Sequence, residues 1–178
     1  QCLKGSREIY KGSYDMTMKE MIALLYVFKK DRSLLTDNAV FNIIDKGLAN
    51  TTGRDLGTFR TIKTTIGTIP ETENHVAMGY GTQYLTNQYI YENPRNLVRL
   101  KRGRYARRSD FKNQGSALHD FLLQIAARPL HAGFHETNAR PYNGLILHGF
   151  LNLARYSSDS KIRIAFLNAV DYAVTKFA

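Results

Sequence analysis

The chain has 178 residues, 43% of them hydrophobic, and its 25 lysines and arginines outnumber 15 aspartates and glutamates to leave a formal charge of +10. That length supports one well-buried core, closing off about 70% of the extended surface. No run approaches the roughly 18–20 uncharged apolar residues of a membrane span, and the lone cysteine, Cys2, excludes an internal disulfide and any cysteine-built metal site.

The opening "QCLKGSREIY" has neither an initiator methionine nor an apolar signal region, and the closing "AVDYAVTKFA" stops inside a helical pattern. Both ends read as cuts, and 1–178 as a single helical domain from a longer protein. Met18, Met21, Ile22, Leu25 and Phe28 recur at helical spacing behind Asp15 or Thr17 as the cap. A second helix follows "LLTD", with Val40, Ile43, Ile44 and Leu48 inward and Gly47 near its end, so that the two form a helical hairpin. The stretch "TTGRDLGTFRTIKTTIGTIP" at 51–70 combines glycines, threonines and near-alternation, which predicts an irregular insert or a short β-hairpin.

From Glu71 the pattern is helical again through "HVAMGYGTQYLTNQYIYEN", with Thr72 available as cap. Met78, Leu85 and Tyr89 share one side, and Tyr80, Tyr84 and Tyr91 another. Gly79 and Gly81 cost roughly 1 kcal/mol each inside a helix, which predicts a close approach by a neighbouring helix or a ligand, the helix being favoured. Leu118, Phe121, Leu122 and Ile125 mark the next helix, ending near Pro129 to Gly133. Pro141 suits a first helical position, and "YNGLILHGFLNLARY" behind it is apolar nearly all round, which predicts deep burial. A last helix, capped by Ser158 or Asp159, places Ile162, Phe166, Ala169, Val170, Ala173 and Phe177 on one stripe.

Much of the positive charge sits in one connection. Between Pro94 and Asn113 lie Arg95, Arg99, Lys101, Arg102, Arg104, Arg107, Arg108 and Lys112 against Asp110 alone. Such a stretch is either a solvated loop or a collar for a polyanion. Tyr105 is the only aromatic near its centre, a thin stacking platform for nucleic acid.

Two polar motifs open two of the helices: "ETENH" at 71–75 and "HETNARPY" at 135–142. Helices joined by turns alternate in direction, and one helix separates these two. Parity therefore makes them parallel, with both starts on one edge, where unpaired N–H groups and the helix dipole favour anions. Each residue also has a plain structural reading: Glu71, Thr72 and Glu73 as first-turn residues, His75 as a half-buried histidine, and Glu136 with Arg140 as an ion pair. "HETNA" opens like the zinc motif H-E-x-x-H, but Ala139 stands where the second histidine belongs. A metal held by His75, His135 and Glu136 has only weak support, and no cofactor-binding fingerprint is present. His119, His131 and His148 lack polar companions in the sequence and read as structural.

"ETENHVAMGYGTQYLTNQ" followed by "FHETNARPY…LNLARYSSDSKIRIAFLNAVDYAVTKFA" resembles a group of large bacterial proteins with an α/α-toroid domain, over about residues 71–178. More distantly, Asn-His at the edge of a helical toroid is similar to the alginate, chondroitin and heparin lyases. The resemblance implies an all-α fold of helical hairpins forming part of a toroid, the rest lying elsewhere in a longer chain. It also implies secretion or a periplasmic location, and β-elimination on an acidic polysaccharide. Asn74 and His75 match the Asn-His element; Arg140 and Tyr142 suit the remaining catalytic roles by type. Glu73, His135, Glu136 and Asn138 would contact substrate, and Arg102, Arg104, Arg107 and Arg108 would hold flanking uronates. Two alternatives stand beside this reading: a glycoside hydrolase using Glu73 and Glu136, and a non-catalytic polyanion-binding module.

Overall fold

A computed structural model describes residues 14–31, 33–48, 62–64, 67–69, 72–95, 107–134 and 142–177. The fold is all-α, and the described elements come in the order the sequence predicts. Helix α1 spans Tyr14–Phe28. Helix α2 spans Asp37–Asn42 and runs on into a π-helical segment, Ile43–Leu48. Strands β1 (Ile62–Thr64) and β2 (Gly67–Ile69) form an antiparallel hairpin in the expected insert, pairing Ile62 with Ile69 and Thr64 with Gly67. Helix α3 spans Glu73–Glu92, and a 3-10 turn follows at Arg108–Phe111. Helices α4 (Ala117–Ala132), α5 (Tyr142–Tyr156) and α6 (Ser160–Phe177) complete the described fold.

Several starts follow from local chemistry. Thr36 and Ser116 each accept a hydrogen bond from the backbone N–H three residues on, the usual repair of an orphaned helix donor. Asp159, rather than Ser158, caps α6: its Oδ1 accepts from the N–H groups of Lys161 (2.8 Å) and Ile162 (3.3 Å). Two expected caps differ. Asp15 and Thr17 lie inside α1, which begins earlier. Thr72 stands at the N-cap of α3, but its hydroxyl donates to Asn74 Oδ1 and makes no cap bond.

Packing fixes the directions. A side chain on Gly149 would meet the Ala77 backbone, and one on Gly81 would meet Leu153. Both partners advance by four residues together, so α3 and α5 are parallel. Asn152 of α5 donates to the Lys19 carbonyl (2.9 Å), and further along the same two helices Tyr26 stacks on Tyr156. Helix α1 therefore runs the same way. Helices α4 and α6 are parallel to each other, with His119 beside Asp159 at their starts and Gly133 beside Lys176 at their ends. The short turn at 157–159 reverses the chain between α5 and α6, where Phe150 meets Phe166 edge-on.

Helices α1, α3 and α5 touch pairwise and so close into a triangle. The open arc of a toroid's inner ring is not found among the described elements.

The centre of the molecule is α3. It is buried nearly all round, polar Thr82, Gln83, Thr86 and Gln88 included. Its polar groups are matched inside: Thr86 donates to the Thr82 carbonyl, and Gln88 bonds the Tyr26 hydroxyl, the Tyr156 carbonyl and the Ser158 N–H. Burial pushes the Tyr26 phenol far above its ordinary pKa, and it stays a donor to the Leu85 carbonyl (3.0 Å). The expected all-round burial of α5 does not occur, since Leu151 is 49% and Tyr142 42% exposed. An apolar helix at the side of a bundle has only as much cover as its neighbours provide.

Candidate functional site

Parallel packing puts the starts of α3 and α5 on one edge, as parity requires. The alignment of Ala77 with Gly149 places Glu73 and Asn74 level with Leu145 and Ile146. Helix α5 therefore begins about one turn, or roughly 5 Å, beyond α3. Glu73 and His75 are half-buried and Tyr142 is exposed at this edge. Of the other predicted residues, His135, Glu136, Asn138 and Arg140 lie outside the described segments, as do Arg102 and Arg104.

Asn74 is 0% exposed. Its Oδ1 accepts from the Thr72 hydroxyl, while its Nδ2 has no hydrogen-bond partner among the described residues. On the first turn of α5, Asn143 has the complementary defect, a buried Oδ1 with nothing donating to it. An unmet buried polar group costs about 1–3 kcal/mol, and buried polar atoms in folded proteins are nearly always paired. One unmet donor and one unmet acceptor, at the starts of two parallel helices, are the groups a polar ligand or a bound water would complete. A void bounded by Phe134, Asn143, Ile146 and Leu147 is too tight for a water.

A charged cluster at this end was not legible in the sequence. Lys19, only 5% exposed, reaches Glu20 Oε1 (2.5 Å) and His148 Nδ1 (3.2 Å), and Glu20 lies 3.3 Å from the same ring nitrogen. Nδ1 of His148 thus faces an ammonium group that only donates and a carboxylate that only accepts, and the tautomer sets which of the two it bonds. Burial, then the Lys19 charge, lowers the His148 pKa, with Glu20 opposing. The lysine and the histidine are 129 residues apart in the chain, and no local spacing signals their meeting. His119, read as without polar companions, has its chain neighbour Asp120 3.0 Å from Nδ1 and the distant Asp159 3.5 Å from Nε2.

The described part of the basic connection is not at this edge. Arg107 and Arg108 are both exposed, and Arg108 Nε donates to the Tyr91 carbonyl (2.9 Å) with its guanidinium 4.5 Å from the Tyr91 ring centre. Tyr91 and Asn74 are separated along α3 by about 25 Å. A polymer held by Asn74 and His75 would reach the two arginines only by spanning the length of α3.

Among the described residues, no group of three or more His, Cys, Asp or Glu is placed to hold a metal, and no helix is long and apolar enough to cross a membrane. Compared with family models, curated proteins and solved structures, the chain finds no match in any of the three.

Proposed function

We propose that the edge where α3 and α5 begin is part of a polysaccharide lyase site acting on an acidic, uronate-containing polymer. The observation that carries the reading is the pair of unmet amide groups, Asn74 Nδ2 and Asn143 Oδ1, beside His75 and Tyr142 at the shared edge. β-Elimination needs the uronate carboxylate neutralised so that the C5 hydrogen becomes acidic. The Asn74 amide, and Arg140 from the second motif, are donors of the kind that supply this. Histidine suits the uptake of the C5 proton near neutral pH. As His75 takes it, the C5 electron pair forms the C4–C5 double bond and the C4–O bond breaks. Tyr142 then protonates the departing oxygen. Since Asn74 is fully buried, substrate reaches its amide only when the edge opens.

The arginines at the far end of α3 favour a second reading, a polyanion-binding module, because they form a separate exposed basic surface. The hydrolase alternative with Glu73 and Glu136 gains no observation of its own. Incubation with alginate, chondroitin sulfate and heparin separates the readings. A lyase product absorbs near-ultraviolet light through its new double bond, a hydrolase releases only reducing ends, and a binding module produces neither. Turnover lost in His75→Ala and Tyr142→Phe, with helical circular dichroism retained, supports the lyase. Absence of any product from all three polymers overturns it.

A further inference from the structure

At the opposite end of α3 a cleft of about 340 Å³ lies between this helix, the 107–116 connection and the 157–159 turn. It falls within the usual range for small-molecule sites. Its inner polar groups are already engaged. The Gln88 amide is held by its three bonds, and Asn113 donates to the Tyr84 carbonyl (2.8 Å) while accepting from Asn87 (3.3 Å). Asp159 is held by the α6 N–H groups on one oxygen and faces His119 with the other. Arg108 pins the connection onto Tyr91 from outside. Much of the floor is thus hydrogen-bonded, and beside Asp159 the charged groups that line the cleft are Glu92 and Lys112.

Glu92 and Lys112 line the same cleft with opposite charges, yet neither forms an ion pair among the described residues. No ion pair joins them among the described residues, so a ligand that carries both signs can answer each charge separately. Glu92 is also the last residue of α3, where a carboxylate adds to the negative end of the helix dipole instead of opposing it. That position disfavours the helix and favours a bound ammonium group. Tyr91 and Phe111 give the cleft an aromatic wall, which suits both a cation and an apolar side chain. A neutral sugar fits poorly, because the inner amides are engaged and it carries no charge to answer Glu92 or Lys112.

We propose that this cleft binds a small zwitterion of the amino-acid class, with its ammonium group at Glu92, its carboxylate at Lys112 and its side chain against Tyr91 and Phe111. The site is independent of the edge at the other end of α3.

Ligand-detected NMR and calorimetry on the purified chain, with the standard amino acids presented one at a time at millimolar concentration, test this. At least one should bind. Glu92→Gln and Lys112→Met should each weaken it by about tenfold or more, the size of one lost charged hydrogen bond. Both residues are exposed and form no ion pair among the described residues, so melting temperatures should not move. The N-acetyl and methyl-ester forms of the bound amino acid, each carrying one charge, should lose affinity to the same degree. Binding of no amino acid, equal binding of the singly charged forms, or binding of glucosamine or glucuronate in their place would overturn the proposal.

Discussion

A side chain on Gly149 would lie 3.1 Å from the carbonyl carbon and oxygen of Ala77, so α5 rests directly on the backbone of α3 at that point. The obstacle is the main chain of the most buried helix, which cannot yield. Gly149→Ala should therefore destabilise by about 1–3 kcal/mol, the usual range for overpacking, partly offset by the better helix propensity of alanine. Gly81→Ala presses only on the Leu153 side chain, 3.2 Å away at Cδ1, with the Gly149 carbonyl at an ordinary 3.7 Å, and should cost much less. Gly79 has nothing within 4 Å of the added methyl, so Gly79→Ala should stabilise by about 0.5–1 kcal/mol. Urea midpoints for the three variants check this order.

Gln88 joins α1, α3 and the turn between α5 and α6, through Tyr26 Oη (2.9 Å), the Tyr156 carbonyl (2.9 Å) and the Ser158 N–H (2.8 Å). Gln88→Ala leaves the buried partners incompletely bonded and opens a gap, which should cost about 2–4 kcal/mol. Gln88→Glu keeps an acceptor for Ser158 but loses the donor to the Tyr156 carbonyl, so it should also destabilise. Chemical denaturation measures both, and a loss below about 0.5 kcal/mol in Gln88→Ala would show that the network contributes little.

Burial and the Lys19 ammonium hold the folded His148 imidazole below the ordinary histidine value of 6.5, with Glu20 opposing. Over the window from 6.5 downwards the unfolded chain binds the proton more readily than the folded one. Stability therefore falls as the pH drops through that window, and the His148 contribution is flat above it. His148→Gln should flatten this part of the profile when melting temperatures are compared from about pH 7.5 to 5. Identical slopes in the two proteins would place the proton uptake elsewhere.

Arg107 and Arg108 are neighbours in sequence with different surroundings. Arg108 is tied to Tyr91 by a hydrogen bond and by its position over the ring, whereas the Arg107 backbone N–H is held by Asp110. Arg108→Ala should speed amide exchange across 107–113 and cost no more than about 1 kcal/mol, the scale of an exposed cation–π contact. Arg107→Ala should leave that exchange unchanged. Both should weaken binding to an acidic polymer and reduce its salt dependence if this end of α3 is a polyanion surface.

The sequence by itself determined the helices, because what makes a helix acts within a turn or two. The "LLTD" stretch and the 158–159 pair marked starts, and the stripe through Ile162, Phe166 and Ala169 marked a buried face. Alternation of helices was enough to make α3 and α5 parallel. Tertiary structure decided which helix lies at the centre. The more apolar α5 keeps an exposed face, while α3, rich in threonine and glutamine, is enclosed because Gly81 and Gly149 admit its neighbour and its amides find partners there. It also decided which polar groups meet. Lys19 finds His148, Glu92 shares a cleft with Lys112, and Arg108 settles on Tyr91, far from Asn74. Spacing along a chain sets which residues share one helix face, but contact between faces depends on how closely the backbones approach. Two glycines, one on each helix, set that distance here.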